Sequence, residues 1–187
     1  EPWKYHSSAN WTNTNALLNT STRTLTLANL TPASIYGILQ NNISNCPVIT
    51  SPQTFVMEGN YTGAPNNASE MTANAYACVK IAASDVIFDC NGFNITDNGT
   101  ADSFTSYGIL TNASYNNITI KNCPGVSNYT YGVYLLNTNS SFIQNATAWR
   151  NKLYGISLEN SSYNSITGCV GSENGYGGSY GDGMGFH

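Results

Sequence analysis

Ten carboxylates, six basic side chains, five cysteines and two histidines are, phenols apart, the acid–base and metal-ligating chemistry of this 187-residue chain. Cleaving a glycan takes two or three carboxylates held close together, or a calcium site with a basic residue to receive a proton. The carboxylates are Glu1, Glu58, Glu70, Asp85, Asp89, Asp97, Asp102, Glu159, Glu173 and Asp182. Asp85 and Asp89 are neighbours, but Asp89 suits a turn. Asp97 and Asp102 share one loop, where a cation would find a few oxygens, and a solvated loop is the better reading. Asp182 stands between Gly181 and Gly183 and makes a turn. Lys121 and Arg150 are expected out of register with all of these acids. His6 and His187 stand far apart in sequence and no CxxC occurs, so metal spacing is absent. The expectation is therefore no catalytic residue, no metal and no cofactor.

Stepping outward, a 23-residue register governs the second half of the chain. Ile120, Ile143 and Ile166 keep it, as do Cys123, Ala146 and Cys169, and Asn128, Asn151 and Asn174. Tyr-Gly pairs recur at Tyr107, Tyr131, Tyr154 and Tyr176. Such periods signal one structural unit per repeat, stacked so that each buries a face its neighbour exposes. Short alternating bursts between Asn/Gly/Ser turns are strands, not helices. Ile109 with Thr111, Val133 with Leu135, and Ile156 with Leu158 should point inward. The expected fold class is all-β: a short right-handed parallel β-helix of about three strands per turn. Aligning Ile87–Cys90 with Ile120–Cys123 predicts a turn column of Asp89, Asn122, Asn145 and Gly168. It also predicts an inward column of Cys90, Cys123, Ala146 and Cys169. Cys90 and Cys123 would be near enough to bond, but inward ladder cysteines are usually packed thiols. Cys169, two turns beyond Cys123, should be free.

Charged residues are 9% of the chain and the net charge is −4, with no basic patch for nucleic acid. No apolar stretch is long enough to span a membrane, and no signal peptide is present, so a removed one is expected. Polarity rests instead on Asn, Ser and Thr, with 27 Asn. Fourteen Asn-x-Ser/Thr sequons occur, about twice what this composition yields by chance. Asn10, Asn19, Asn29, Asn42, Asn60, Asn67, Asn94, Asn98, Asn112, Asn117, Asn139 and Asn160 are the expected N-glycosylation sites. Asn145 and Asn128 also carry sequons, but their places in the turn columns should engage their side chains. An exported, cell-surface glycoprotein is the expected setting.

The segment from Cys46 through Val48-Ile49, Pro52-Gln53 and Phe55-Val56-Met57, then Cys78-Val-Lys-Ile-Ala-Ala-Ser-Asp-Val-Ile-Phe-Asp-Cys-Asn-Gly-Phe-Asn-Ile-Thr96, resembles the opening of NosD-type right-handed parallel β-helices. These belong to the pectin-lyase-like superfamily, and many with this opening are archaeal surface proteins. The resemblance covers roughly residues 41–187, with Ser51-Pro52-Gln53 replacing the family's usual Pro-Gly. It implies a cap over 41–84, and a Cys46–Cys78 disulfide like the family's paired cysteines. It implies little about function, since that fold hosts lyases, hydrolases, adhesins and structural proteins.

Residues 1–40 lie outside the repeat. Leu25 to Tyr36 resembles a strand pair of a fibronectin type III domain with its tyrosine corner. This arm either packs on the cap or docks on another subunit. The Gly-rich stretch 175–187 starts another turn and leaves it uncapped: either the chain is a piece of something longer, or, the favoured expectation, another subunit covers this edge. Head-to-tail contact of this kind makes a filament. Among 13 Tyr, Tyr115 and Tyr163 fall in comparable turns and Tyr134 points outward, suiting a sugar or a subunit interface. The expected function is a structural subunit of an extracellular, N-glycosylated filament or surface layer. The alternatives are a polysaccharide-cleaving enzyme and a sugar-binding adhesin.

Overall fold

The computed structural model describes residues 3–5, 11–13, 17–19, 24–26, 41–43, 45–99, 104–175 and 184–186, with side chains for 45–99 and 104–175. The chain divides into two compact units, Glu1–Leu39 and Gln40–His187. In the first, β1 (Trp3–Tyr5) pairs antiparallel with β2 (Trp11–Asn13), and β3 (Leu17–Asn19) with β4 (Thr24–Thr26). The fibronectin-like stretch beyond Thr26 lies outside the described residues.

The second unit opens with β5 (Asn41–Ile43), β6 (Val48–Ile49), β7 (Thr54–Met57), β8 (Tyr61–Thr62) and β9 (Asn66–Asn67). The coil proper follows with β10 (Ala75–Ile81), β11 (Ile87–Asp89), β12 (Ile95–Thr96), β13 (Thr105–Thr111) and β14 (Thr119–Ser127). It continues through β15 (Tyr131–Leu136), β16 (Phe142–Trp149), β17 (Tyr154–Glu159), β18 (Ser165–Thr167), β19 (Val170–Ser172) and β20 (Met184–Phe186). Two parallel sheets wrap the interior. A seven-stranded sheet runs β20-β17-β15-β13-β10-β6, with β9 added antiparallel on β10. A nine-stranded sheet runs β18-β16-β14-β11-β7-β5, its rungs continued by β8, β12 and β19 beyond a bend. Each full turn thus supplies three strand segments, and the fold is an all-β parallel helix.

Like side chains stack in this interior because parallel rungs place equivalent residues directly over one another. Phe55, Phe88, Ile120, Ile143 and Ile166 form one column. Val79, Ile109, Val133 and Ile156 form another, with Ile81, Thr111, Leu135 and Leu158 beside it. All but the half-buried Ile166 are nearly sealed from water. Burying each large apolar side chain is worth about 1.5–3 kcal/mol, so the stack itself stabilises the coil.

Corners are made by residues in the left-handed region, which bends the chain sharply between rungs. They fall in columns: Asp85, Asn117, Ser140 and Tyr163; Asn91, Asn122, Asn145 and Gly168; Asn128, Arg150 and Glu173; Asn137 and Asn160. Asparagine suits these positions because its short side chain tolerates that conformation. Arg150, Glu173 and Tyr163 adopt it without that advantage, because the rung above and below dictates it.

Several registers differ from the sequence reading. Phe88, not Ile87, pairs with Ile120, and Ile87 is exposed. The corner residue is consequently Asn91, and Asp89 is a strand residue opposite Lys121. An irregularity between Cys123 and Val126 shortens the next step, so Ser127 pairs with Trp149. Asn151 and Asn174 therefore continue from Tyr129, while Asn128 belongs to the column of Arg150. Ile156 pairs with Met184, so the described strand set against β17 is β20, and Tyr176 lies outside the described residues.

Candidate functional site

Covalent staples tie the cap and first rungs together. Cys46 and Cys78 are disulfide-bonded, with Cα atoms 4.8 Å apart. Cys90 and Cys123 are bonded as well, at 4.9 Å, contrary to the expectation of packed thiols. The reason is the rung spacing: cysteines facing inward on adjacent turns already stand at disulfide distance. Cys169 is a free thiol, half-buried, whose S–H reaches the carbonyls of Ile143 and Thr167.

The outer face of the seven-stranded sheet carries a tyrosine stack. Rings of Tyr107 and Tyr131 lie 5.2 Å apart and nearly parallel, and Tyr154 continues the stack at 6.1 Å from Tyr131. Tyr134 packs across both Tyr107 and Tyr131, and its hydroxyl donates to Glu159. It points outward from its strand as expected, yet Tyr134 is only 7% exposed because the other rings cover it. Tyr107 and Tyr134 are thereby closed to a stacking sugar, while Tyr131 and Tyr154 stay half-buried. Burial, reinforced by neighbouring phenols and Glu159, raises the Tyr107 and Tyr131 pKa values. Burial and the bond to Glu159 do the same for Tyr134. Tyr115 is partly buried against the core, whereas Tyr163 is 90% exposed, so the two turns are not equivalent.

Tyr-Gly recurs because the residues after Tyr107 and Tyr131 have no room for a side chain. A Cβ on Gly132 would stand 2.5 Å from the Gly155 carbonyl and 2.8 Å from the Asn151 amide.

Behind that corner runs an asparagine ladder. Asn151 is fully buried; its Oδ1 accepts from Tyr129 N–H at 3.1 Å and its amide donates to the Val126 carbonyl at 3.1 Å. Asn174 repeats the arrangement one rung on, accepting from Asn151 N–H and donating to the Ala148 carbonyl. A second ladder runs outside: Asn139 N–H donates to Asn116, and Ser162 N–H to Asn139. Asparagine is abundant here partly because its side chain replaces the missing backbone bonds of the corners.

The described acids are dispersed, and apart from the exposed Glu58 each has its own hydrogen-bonding partner. Asp89 pairs with Lys121 at 3.3 Å and accepts from Asn122, and Arg150 pairs with Glu173 at 2.7 Å. Lysine and arginine are thus in register with two acids after all, once the steps are corrected. Asp85 accepts from Asn117. Asp97 is buried rather than solvated and accepts from Gly99 N–H at 3.2 Å; Asp102 lies outside the described residues, as do Glu1 and Asp182. Glu70 accepts from Lys80 and from Asn112. Partial burial pushes its pKa up, but the bonds and charge of Lys80 and the Asn112 amide outweigh that and hold it low.

Among the sequons, Asn60, Asn67, Asn94, Asn98, Asn117 and Asn160 are exposed, and Asn112 and Asn139 are half-buried. Asn117 turns its amide to Asp85 and Asn112 to Glu70. The side chains of Asn19 and Asn42, and the whole of Asn10 and Asn29, lie outside the described residues. Asn145 and Asn128 are exposed corner residues. Among the described residues Asn145 makes no side-chain hydrogen bond; its Oδ1 lies where a Cβ on Gly168 would stand. The expected engagement fails because at this corner Gly168 offers the amide no polar partner.

At one end, β18 and β19 pair only with β16 among the described strands. There Val170 is 52% exposed, and Ile166 and Cys169 are half-buried, unlike Ile143 and Ala146 one rung earlier. At the other end Val48 of β6 is likewise exposed.

Residues 10–184 match the family model described as periplasmic copper-binding protein (NosD). The chain belongs to the NosD family. Neither the curated proteins nor the solved structures hold a match to it. The family description and two disulfides fit an oxidising compartment outside the cytosol. Copper seeks thiolate, thioether and imidazole donors. In this NosD-family chain four cysteines are consumed as disulfides, Met57 is sealed in the core, the half-buried Met71 packs on a separate apolar cluster, and Cys169 stands alone. No three His, Cys, Asp or Glu residues gather as a metal site among the described residues. His6 and His187 lie outside them. The described donor set does not fit a copper centre. Among the described residues no helix is long and apolar enough to cross a membrane.

Proposed function

We propose that the chain is a structural subunit of an extracellular, N-glycosylated filament or surface layer, stacking head to tail and catalysing nothing. The observation that carries this reading is the pair of exposed rung ends. Parallel strands at both ends run the same way round the coil. A second copy placed end on therefore continues the ladder, whereas a head-to-head contact reverses it. Such a contact does not close on itself and grows as a fibre. The half-exposed Ile166 and Val170 would become interior rungs, and residues 1–40 would reach along the neighbouring subunit. The described acids, dispersed and all but Glu58 tied to partners of their own, support a building block over a polysaccharide-cleaving enzyme. Exposed sequons at Asn60, Asn67, Asn94, Asn98 and Asn160 would carry the glycans that replace surface charge.

Electron microscopy and sedimentation of native material test the reading. Filaments or sheets are expected, and Val170→Lys, which sets a charge on the edge, should leave monomers. A wild-type chain that stays monomeric at every concentration sinks it. Peptide mass mapping tests the glycans separately.

A further inference from the structure

On the outer face of the seven-stranded sheet an amine, an acid and an amide meet. Lys80 lies on β10, opposite Leu110 of β13, and Asn112 follows two residues along that neighbouring rung, on the same face. Glu70 arrives from the segment between β9 and β10. Its Oε1 accepts from Lys80 Nζ and, at 2.5 Å, from Asn112 Nδ2, so one carboxylate oxygen touches both groups. Lys80 Nζ is also held by the Asn67 carbonyl at 3.2 Å. The Lys80 side chain is only 18% exposed, which limits competing water.

We propose that Lys80 and Asn112 close an intramolecular isopeptide bond, with Glu70 carrying the protons. The Glu70 carboxylate takes a proton from the Lys80 ammonium, leaving a neutral amine. The Nζ lone pair adds to Cγ of Asn112. The carboxyl proton passes to Nδ2, the Cγ–Nδ2 bond breaks, and ammonia leaves as the Nζ–Cγ amide forms. The second Nζ proton goes through Glu70 to that ammonia, which departs as ammonium and regenerates the carboxylate. No oxidant or cofactor enters the balance. Proximity and a shared proton carrier are what this otherwise sluggish reaction needs. The product would be a third covalent staple between adjacent rungs, beside Cys46–Cys78 and Cys90–Cys123. It also gives the Asn112 sequon a different fate, since the nitrogen a glycan would occupy is the one expelled. The inference stands independently of the filament reading.

The test is mass spectrometry of the full chain, both as isolated and as produced in a host without N-glycosylation. With its disulfides reduced and no glycans attached, the chain should be lighter than its sequence by one ammonia, and digestion of either material should release a branched peptide joining Lys80 to Asn112. Glu70→Gln, at an exposed residue, should fold with unchanged circular dichroism yet keep the ammonia and give linear peptides. Lys80→Arg should do the same. Full mass with linear Lys80 and Asn112 peptides overturns the proposal, and so does a glycan on Asn112. Ammonia loss located instead at Asn91, Asn98 or Asn174, each followed by Gly, also overturns it, because that marks a succinimide. Unimpeded closure in Glu70→Gln overturns the role of Glu70.

Discussion

Replacing Asn151 by Ala tests whether the interior asparagine ladder is structural in the sense argued above. The side chain is fully buried and bonds two backbone groups at that corner, Tyr129 N–H and the Val126 carbonyl. Leaving a buried donor or acceptor unpaired costs about 1–3 kcal/mol each. Two such groups place the loss at roughly 3–4 kcal/mol, a large part of the stability of a domain this size. Asn174→Ala removes the side-chain bonds to Asn151 N–H and the Ala148 carbonyl, but Asn174 is half-buried and water can repair part of the damage. Its cost should be about half as large. Asn145→Ala is the control: exposed and without side-chain bonds, it loses only the preference for a left-handed backbone, about 1–2 kcal/mol. Urea unfolding followed by circular dichroism gives the three midpoints, with the slope expected to stay constant. The ranking Asn151 above Asn174 above or level with Asn145 is expected. An Asn151→Ala midpoint equal to that of Asn145→Ala would refute the reasoning.

Alkali should unfold the protein through its phenols. Tyr61 is raised to about 12 by burial and the nearby Glu58 charge, and Tyr107, Tyr129, Tyr131 and Tyr134 are also raised. A raised group gives its full stabilisation below its unfolded value of 10, and loses it as pH climbs towards the folded one. Tyrosinate absorbance should therefore appear together with loss of the β signal; five phenols titrating at their ordinary value in an intact fold would contradict this. Cys90 and Cys123 are sealed in the core while Cys46 is half-buried, so a mild reductant should open Cys46–Cys78 first, as alkylation and mass mapping would record. Removing Cys90–Cys123 by paired alanines should cost about 4 kcal/mol in the chain-entropy model for a loop of this length. Gly132→Ala should lower thermal stability by about 1–3 kcal/mol, because its methyl meets the Gly155 carbonyl, which cannot move aside; an unchanged melting temperature would place Gly132 elsewhere.

Periodicity by itself determined the coil. Ile120, Ile143 and Ile166 recur because one turn must return to the same inward position, and the inward pairs of β13, β15 and β17 were legible for the same reason. What periodicity does not carry is the local step. Asn91 rather than Asp89 turns the first corner, and the irregularity after Cys123 moves Asn151 under Tyr129, because one residue added or lost at a bend changes register while leaving the repeat visible. The Cys90–Cys123 bond, the mutual burial of Tyr107, Tyr131 and Tyr134, and the meeting of Lys80, Glu70 and Asn112 join residues on different rungs. Only the tertiary structure decided these, since contacts between turns depend on lateral spacing and side-chain direction, neither of which is written along the chain.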